Sequence, residues 1–220
     1  MFPRIACTSV ALVAFTFIAR AEAPAAHPFE KEIAVYEAAD KANPPPQGGI
    51  VFTGASGIRL WKTLVQDFPG LTVLNRGFGG SQLSDSIHFA ERIVIPYRPK
   101  AVVIQAGGND INAGKTPEQV LSDFEAWVAK VRAALPEVRL VYLGQGPSPA
   151  RWAQREKQQQ ANQLIRDSIA KGRNMAFVDI WAPCLNANGE PRPELYVEDK
   201  LHPSAEQYQI RAKLIRPALE

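Results

Sequence analysis

Cysteine is nearly missing from this chain, with Cys7 and Cys184 the only two among 220 residues. Cys7 falls in an N-terminal stretch with the features of a leader, so Cys184 stands alone and an intramolecular disulfide is excluded from the mature chain. With no second cysteine or histidine near it in sequence, Cys184 reads as a packed thiol rather than a nucleophile or ligand. Histidine is scarce too, since His27, His88 and His202 are the whole supply. No Cys/His/carboxylate cluster has the spacing of a metal site, and neither a metal nor a cofactor is expected.

A large charge of one sign is also absent. The formal charge is +3, and two of the basic residues behind it, Arg4 and Arg20, lie in the leader. A nucleic-acid partner therefore has no electrostatic support. The apolar run Ala6 to Ile18 is short for a bilayer span. It is preceded by Arg4 and followed by Ala19-Arg20-Ala21 and Ala21-Glu22-Ala23, both small-residue cleavage sites, which is the pattern of a secretory signal. Pro24 disfavours cut after Ala23, so cleavage after Ala21 is expected. The protein is then exported, periplasmic or secreted, with no stable membrane span once the leader is gone. No internal repeat or low-complexity tract is present, and 46% hydrophobic with 21% charged residues is ordinary globular composition. The expected division is a signal peptide over 1–21, a tether and N-terminal helix over 22–48, and a single domain over 49–220.

What the chain does have is regular alternation of strands and helices. Phe29 to Lys41 has helical spacing, and the Pro/Gly stretch from Asn43 to Gly49 ends it. Strands are predicted at Ile50 to Gly54, Leu71 to Leu74, Ala101 to Gln105, Arg139 to Leu143 and Ala176 to Ile180. Helices are predicted at Gln82 to Val94, Thr116 to Leu135, Arg151 to Lys171 and Ser204 to Ile215. Such alternation indicates βαβ units, hence an α/β fold: a three-layer α/β/α sandwich around a parallel sheet of about five strands. Ligands of such sheets bind beyond the carboxyl ends of the strands. That rule turns the segments after each strand into the candidate site.

The segment after the first strand is Gly54-Ala55-Ser56-Gly57, a tight turn into helical spacing at Ile58, Trp61 and Leu64. It sets Ser56 beside the amides of a helix start, where developing negative charge is favoured. An isolated serine there caps a helix more often than it reacts. After the second strand, Asn75-Arg76-Gly77-Phe78-Gly79-Gly80-Ser81 is glycine-dense enough for backbone amides to approach an oxyanion or a phosphate, or to be a turn only. After the third, Gly107-Gly108-Asn109-Asp110 offers the neutral amide donor of Asn109. Two Asp-x-x-His patterns supply a base. Asp85 and His88 lie within a predicted helix and read as a solvated pair. Asp199 and His202 lie in a loop before Pro203, where the carboxylate can orient one ring nitrogen while the other faces the cleft. His27 sits in the tether, poorly placed for rigid chemistry.

Together these segments hold a nucleophile, an oriented base and oxyanion donors, the requirement for serine acyl transfer. In the same residues the chain resembles the SGNH or GDSL-type esterases and lipases, from about Phe29 to the C-terminus, and most closely a branch whose first block continues as Ile58-Arg59-Leu60-Trp61. The resemblance implies a flavodoxin-like SGNH fold with Ser56 as nucleophile, Asp199 and His202 as the rest of a triad, and Ser56, Gly80 and Asn109 as oxyanion donors. Gly79 neighbours Gly80 as a candidate. Ala55 and Gly57 stand where the family motif has Asp and Leu, which bears on turn geometry rather than on the triad. The implied activity is hydrolysis of short acyl esters, acetyl among them, with small-molecule or carbohydrate esters as substrates. Arg151 and Trp152, after the fourth strand, are candidate substrate contacts. Alternatives are an extracytoplasmic O-acyltransferase on the same site, or a non-catalytic flavodoxin-like module binding phosphate or flavin.

Overall fold

The computed structural model describes residues 26–220. The expected leader and cleavage site, with Cys7, lie outside the described residues. The elements run α1 (Glu30–Ala42), β1 (Ile50–Gly54), α2 (Ser56–Arg59), α3 (Leu64–Asp67), β2 (Val73–Gly77), α4 (Leu83–Ile93), β3 (Ala101–Gln105), α5 (Gly108–Asn112), α6 (Pro117–Ala134), β4 (Arg139–Leu143), α7 (Arg155–Lys171), β5 (Met175–Val178) and α8 (Ala205–Ile215). The five strands form one sheet in the order β2-β1-β3-β4-β5, and every pairing is parallel.

Alternation along the strands divides the core into two layers. Val51, Val102, Leu140 and Tyr142 point to one face and pack with Ile33 of α1, Phe89 of α4, Phe124 and Trp127 of α6, and Ile165 of α7. Ile50, Phe52, Val103 and Val141 point to the other and pack with Ile58, Trp61, Leu64 and Phe68 from the α2–α3 region and with Tyr208 of α8. Both faces are covered, which is why the central strands read as unbroken apolar runs. The long helices have their own stop and start signals. Thr116 caps α6 by accepting the Gln119 amide, and Gln119 returns the bond to the Thr116 amide.

Strand order reverses between β1 and β3, because the chain leaves β1 toward β2 and then crosses to β3 on the opposite side. The two strand ends on either side of that reversal diverge and leave a crevice. Ser56 follows β1 and Asn109 follows β3, so both stand at its rim.

The second strand departs from the sequence expectation. It begins at Val73 and continues through Gly77, so Asn75 and Arg76 belong to the strand and not to the loop. As an edge strand it pairs only with β1, and its polar residues have uses that periodicity does not reveal. Arg76 is buried, ion-paired with Asp40 of α1 and hydrogen-bonded to the Tyr97 hydroxyl at 2.7 Å. Its guanidinium lies 4.8 Å and 4.9 Å from the Tyr36 and Tyr97 ring centres. The seventh helix also begins later than expected: Pro149 to Gln154 forms a 3-10 turn in which Arg151 is non-helical. Among the described residues no helix is long and apolar enough to cross a membrane.

Candidate active site

The β1–α2 turn is tight for a measurable reason. Gly54 has φ +111°, and a Cβ there would lie 2.1 Å from the Gln105 carbonyl oxygen. The Ala55 amide donates to that same oxygen at 2.9 Å. Ser56 is thereby the first residue of the one-turn α2, where its amide has no intrahelical acceptor. Its Oγ lies 2.8 Å from His202 Nε2, across 146 residues of chain.

The other ring nitrogen, Nδ1, lies 2.5 Å from Asp199 Oδ2. Asp199 Oδ1 accepts the backbone amides of Leu201 and His202, each at 2.9 Å. The chain folds back at Lys200, φ +57°, and Val197 donates to the His202 carbonyl at 2.9 Å, so the loop is pinned on both sides of the imidazole. The hydrogen bonds from the His202 backbone and ring, joined by the Leu201 amide, hold the Asp199 carboxyl down to about 2 from its ordinary 3.8, against the opposing effect of burial.

Asn109 sits in the first turn of α5, with its side chain clamped from both ends. Its Nδ2 donates to the Ser81 carbonyl at 2.9 Å, and its Oδ1 accepts from Arg151 Nη2 at 2.9 Å. The guanidinium fixes which end of the amide faces the cleft, and one N–H of the pair remains for a ligand. Gly80, φ +81°, lines the same hollow as Ser56, Asn109 and His202, and so does Gly79. Behind them Asp110, fully buried, accepts the Leu83 amide at 3.2 Å and Lys115 Nζ at 2.8 Å. It ties the glycine loop to α5, and burial raises its carboxyl while Lys115 opposes the rise.

The chain therefore brings Ser56, Asp199, His202, Gly80, Asn109 and Arg151 to one rim. Trp152 is the exception. It does not line the cleft; its ring stacks on Trp181 at 6.3 Å and carries the Arg155 guanidinium at 5.3 Å. The Asp85 and His88 side chains do not pair with each other either. Asp85 accepts the Gln82 amide in a capping box and faces His27 at 3.3 Å, while the His27 ring stacks on His88 at 4.6 Å. His27 is packed, not loose in a tether. Cys184 is buried and unpaired. Among the described residues no group of three or more His, Cys, Asp or Glu could hold a metal ion.

Sequence reading missed the interior of the site. Gln105, Gln145, Gln158, Gln207 and Arg211 line a hollow running inward from Ser56, and all but Gln105 are at most 5% exposed. Gln105 looked like the end of an apolar strand and Gln158 like part of a solvated helix. The available signal was a glutamine at the ends of two successive central strands, at the depth where the ligand rule places a site.

Comparison with known proteins bears on the family and the fold. Residues 45–210 match the model of the GDSL-like Lipase/Acylhydrolase family. The chain is 34% identical over 163 residues to the human platelet-activating factor acetylhydrolase IB subunit alpha1, covering 69% of this chain and 66% of that protein. To the alpha2 subunit of Rattus norvegicus it is 27% identical over 152 residues, 64% of this chain and 62% of that one. It thus spans just under two thirds of the length of these relatives. Among solved structures, a GDSL-like lipase from Bacteroides thetaiotaomicron superposes with TM-score 0.71 at 22% identity, over 85% of this chain and 96% of the other. A catalytic mutant of an acetylxylan esterase from Geobacillus stearothermophilus gives TM-score 0.61 at 16% identity, over 79% and 95%. These two likenesses concern the fold. The family model covers about three quarters of the sequence, including the strand ends that carry Ser56, Gly80 and Asn109 and the loop that carries His202, and the chain belongs to the GDSL-like lipase/acylhydrolase family.

Proposed function

We propose that the protein is an exported serine esterase that hydrolyses short acyl esters through Ser56, His202 and Asp199. The single observation that carries this reading is the unbroken relay Asp199 Oδ2, His202 Nδ1, His202 Nε2, Ser56 Oγ, with links of 2.5 Å and 2.8 Å. His202 Nε2 accepts the Ser56 hydroxyl proton as Oγ bonds to the ester carbonyl carbon, and the ionised Asp199 stabilises the imidazolium. The oxyanion is received by the Ser56 and Gly80 amides and the free N–H of Asn109 Nδ2. On collapse the carbon–alkoxy bond breaks, and the alcohol leaves with the proton from His202. Water then attacks the acyl-serine, gives its proton to His202, and the acid departs as Ser56 regains its own.

Support for short acyl groups comes from the relatives named for platelet-activating factor acetylhydrolase and from the neighbour named for acetylxylan esterase. Support for export comes from the leader pattern in residues 1–21. The test pairs turnover with labelling. Purified protein is expected to release 4-nitrophenol from its acetate ester and to be labelled by a fluorophosphonate on the peptide containing Ser56. Substitution Ser56→Ala is expected to abolish both, a loss on the order of 10⁶-fold in turnover. Wild-type rates in a folded Ser56→Ala protein would falsify the assignment. An acceptor sugar added to the same assay distinguishes hydrolysis from acyl transfer by its acylated product.

A further inference from the structure

Two hollows meet at Ser56 and His202. The outer one, about 430 Å³, is the more open and passes over Gly79, Gly80 and Arg59. The inner one, about 100 Å³, is lined by Gly57 and Gly108 beside Ser56 and by the side chains of Gln105, Gln145 and Arg211. A space of that size holds several water-sized atoms. After the first chemical step the alcohol must leave and water must take its place, which assigns the open side to the alcohol. The acyl group, still bonded to Ser56 Oγ, occupies the inner side.

The inner hollow sets charged and polar side chains beside its apolar lining. Arg211 is 5% exposed and reaches no carboxylate: its Nε donates to Gln207 Oε1 at 3.0 Å and its Nη1 to Gln105 Oε1 at 2.8 Å. Among the described residues Arg151, the second cation, is held by the neutral Asn109 amide alone. No aspartate or glutamate lines the hollow. Burial pulls both guanidiniums below the ordinary arginine value with no carboxylate opposing it, yet both stay charged. Gln145, also 5% exposed, has neither its Nε2 nor its Oε1 hydrogen-bonded. A buried cation with no carboxylate partner, a half-buried second one and an unsatisfied amide are costly in an empty pocket and become favourable contacts once an anionic acceptor arrives.

We propose that the inner hollow is an acyl pocket selective for short acyl groups that end in a second carboxylate, of about succinyl size, seated against Arg211 and Arg151 with the Gln145 amide completing its hydrogen bonds. This rests on the esterase reading above. The test measures acid release by the full chain from ethyl hydrogen succinate and from ethyl 4-methylpentanoate, which share a leaving group and differ in a carboxylate against an isopropyl end. The succinate ester is expected to show at least a tenfold higher kcat/KM, the size of one charge-assisted hydrogen bond. Free succinate is expected to inhibit competitively and 4-methylpentanoate not to.

In Arg211→Met the ratio of the two esters is expected to fall to about one or to invert, and a ratio taken within one variant does not depend on its overall activity. Should that variant fail to fold, Gln145→Leu is expected to lower the ratio several-fold without removing a charge. Equal or faster turnover of the neutral ester by the wild type overturns the pocket assignment and leaves esterase activity at Ser56 standing. No turnover of either ester or of 4-nitrophenyl acetate overturns the esterase reading, and the pocket falls with it.

Discussion

At the scale of single residues, the chemistry proposed for Ser56 depends on neighbours held in place before any substrate arrives. Asn109 is one. Its amide is oriented by Ser81 and Arg151 at 2.9 Å each, so the donor costs no reorganisation when the oxyanion forms. Asn109→Ala is expected to lower kcat on the order of 10²- to 10³-fold with little change in KM, measured on 4-nitrophenyl acetate. Asp199 is another, and its role is legible in pH. Its carboxyl is held at about 2 in the folded protein against an ordinary 3.8. A depressed carboxyl stabilises the fold fully above the unfolded value and loses that contribution as pH falls through the folded one. Urea unfolding of wild type and Asp199→Asn should therefore show a constant wild-type advantage above about pH 4 that disappears toward about pH 2. The same substitution is expected to cut kcat by roughly 10⁴-fold at neutral pH, because the imidazole loses its fixed orientation and tautomer.

At the scale of elements, the β1–α2 turn decides where the nucleophile stands, and two glycines in it tolerate change differently. A Cβ at Gly54 would strike the Gln105 backbone oxygen and sit at a φ that L-residues avoid. Gly54→Ala is expected to cost ~3 kcal/mol or more in unfolding free energy. At Gly57 the Cβ would meet the Gln105 side-chain oxygen at 2.3 Å, which can yield by releasing Arg211. Gly57→Ala should cost less, ~1–2 kcal/mol, while disturbing the inner hollow. Denaturant titration of the two variants checks the order. The central elements β1, β3 and β4 were readable because strands buried on both faces leave apolar runs with glycine at their ends. The edge strand β2 was readable only in its first half, since Asn75 donates to the Ile58 carbonyl of α2 and Arg76 pairs with Asp40 of α1, which breaks the pattern. Ser56, Asn109, Asp199 and His202 stood out because chemistry at strand ends uses few residue types. The glutamine-lined interior did not, because a buried glutamine and a solvated one look alike in a helix such as α7.

At the scale of the whole molecule, the family match begins at residue 45, yet the packing begins earlier. The α1 helix buries Ile33 in the core, and its Tyr36 hydroxyl donates to the Gly77 carbonyl at the end of β2 at 2.5 Å. It thereby ties α1 to the carboxyl end of an edge strand. Its Asp40 also supplies the only carboxylate that pairs with Arg76 among the described residues, and accepts the Tyr97 hydroxyl at 2.5 Å. Arg76 precedes Gly77 and the loop that carries Gly80, and Glu32 of the same helix lines the outer hollow and pairs with Arg59, so the helix borders the cleft at two points. Removing one member of a buried pair leaves the other charged and unmatched, which costs about 3–5 kcal/mol where both are enclosed. Asp40 is 21% exposed and Arg76 7%, so the cost at this pair lies toward the lower figure. Asp40→Ala is therefore expected to lower the unfolding free energy by ~3 kcal/mol. Double substitution Asp40→Ala with Arg76→Met should recover part of that loss, because the stranded cation goes with it. A double variant no more stable than Asp40→Ala would mean that an unmatched Arg76 charge is not the source of the loss.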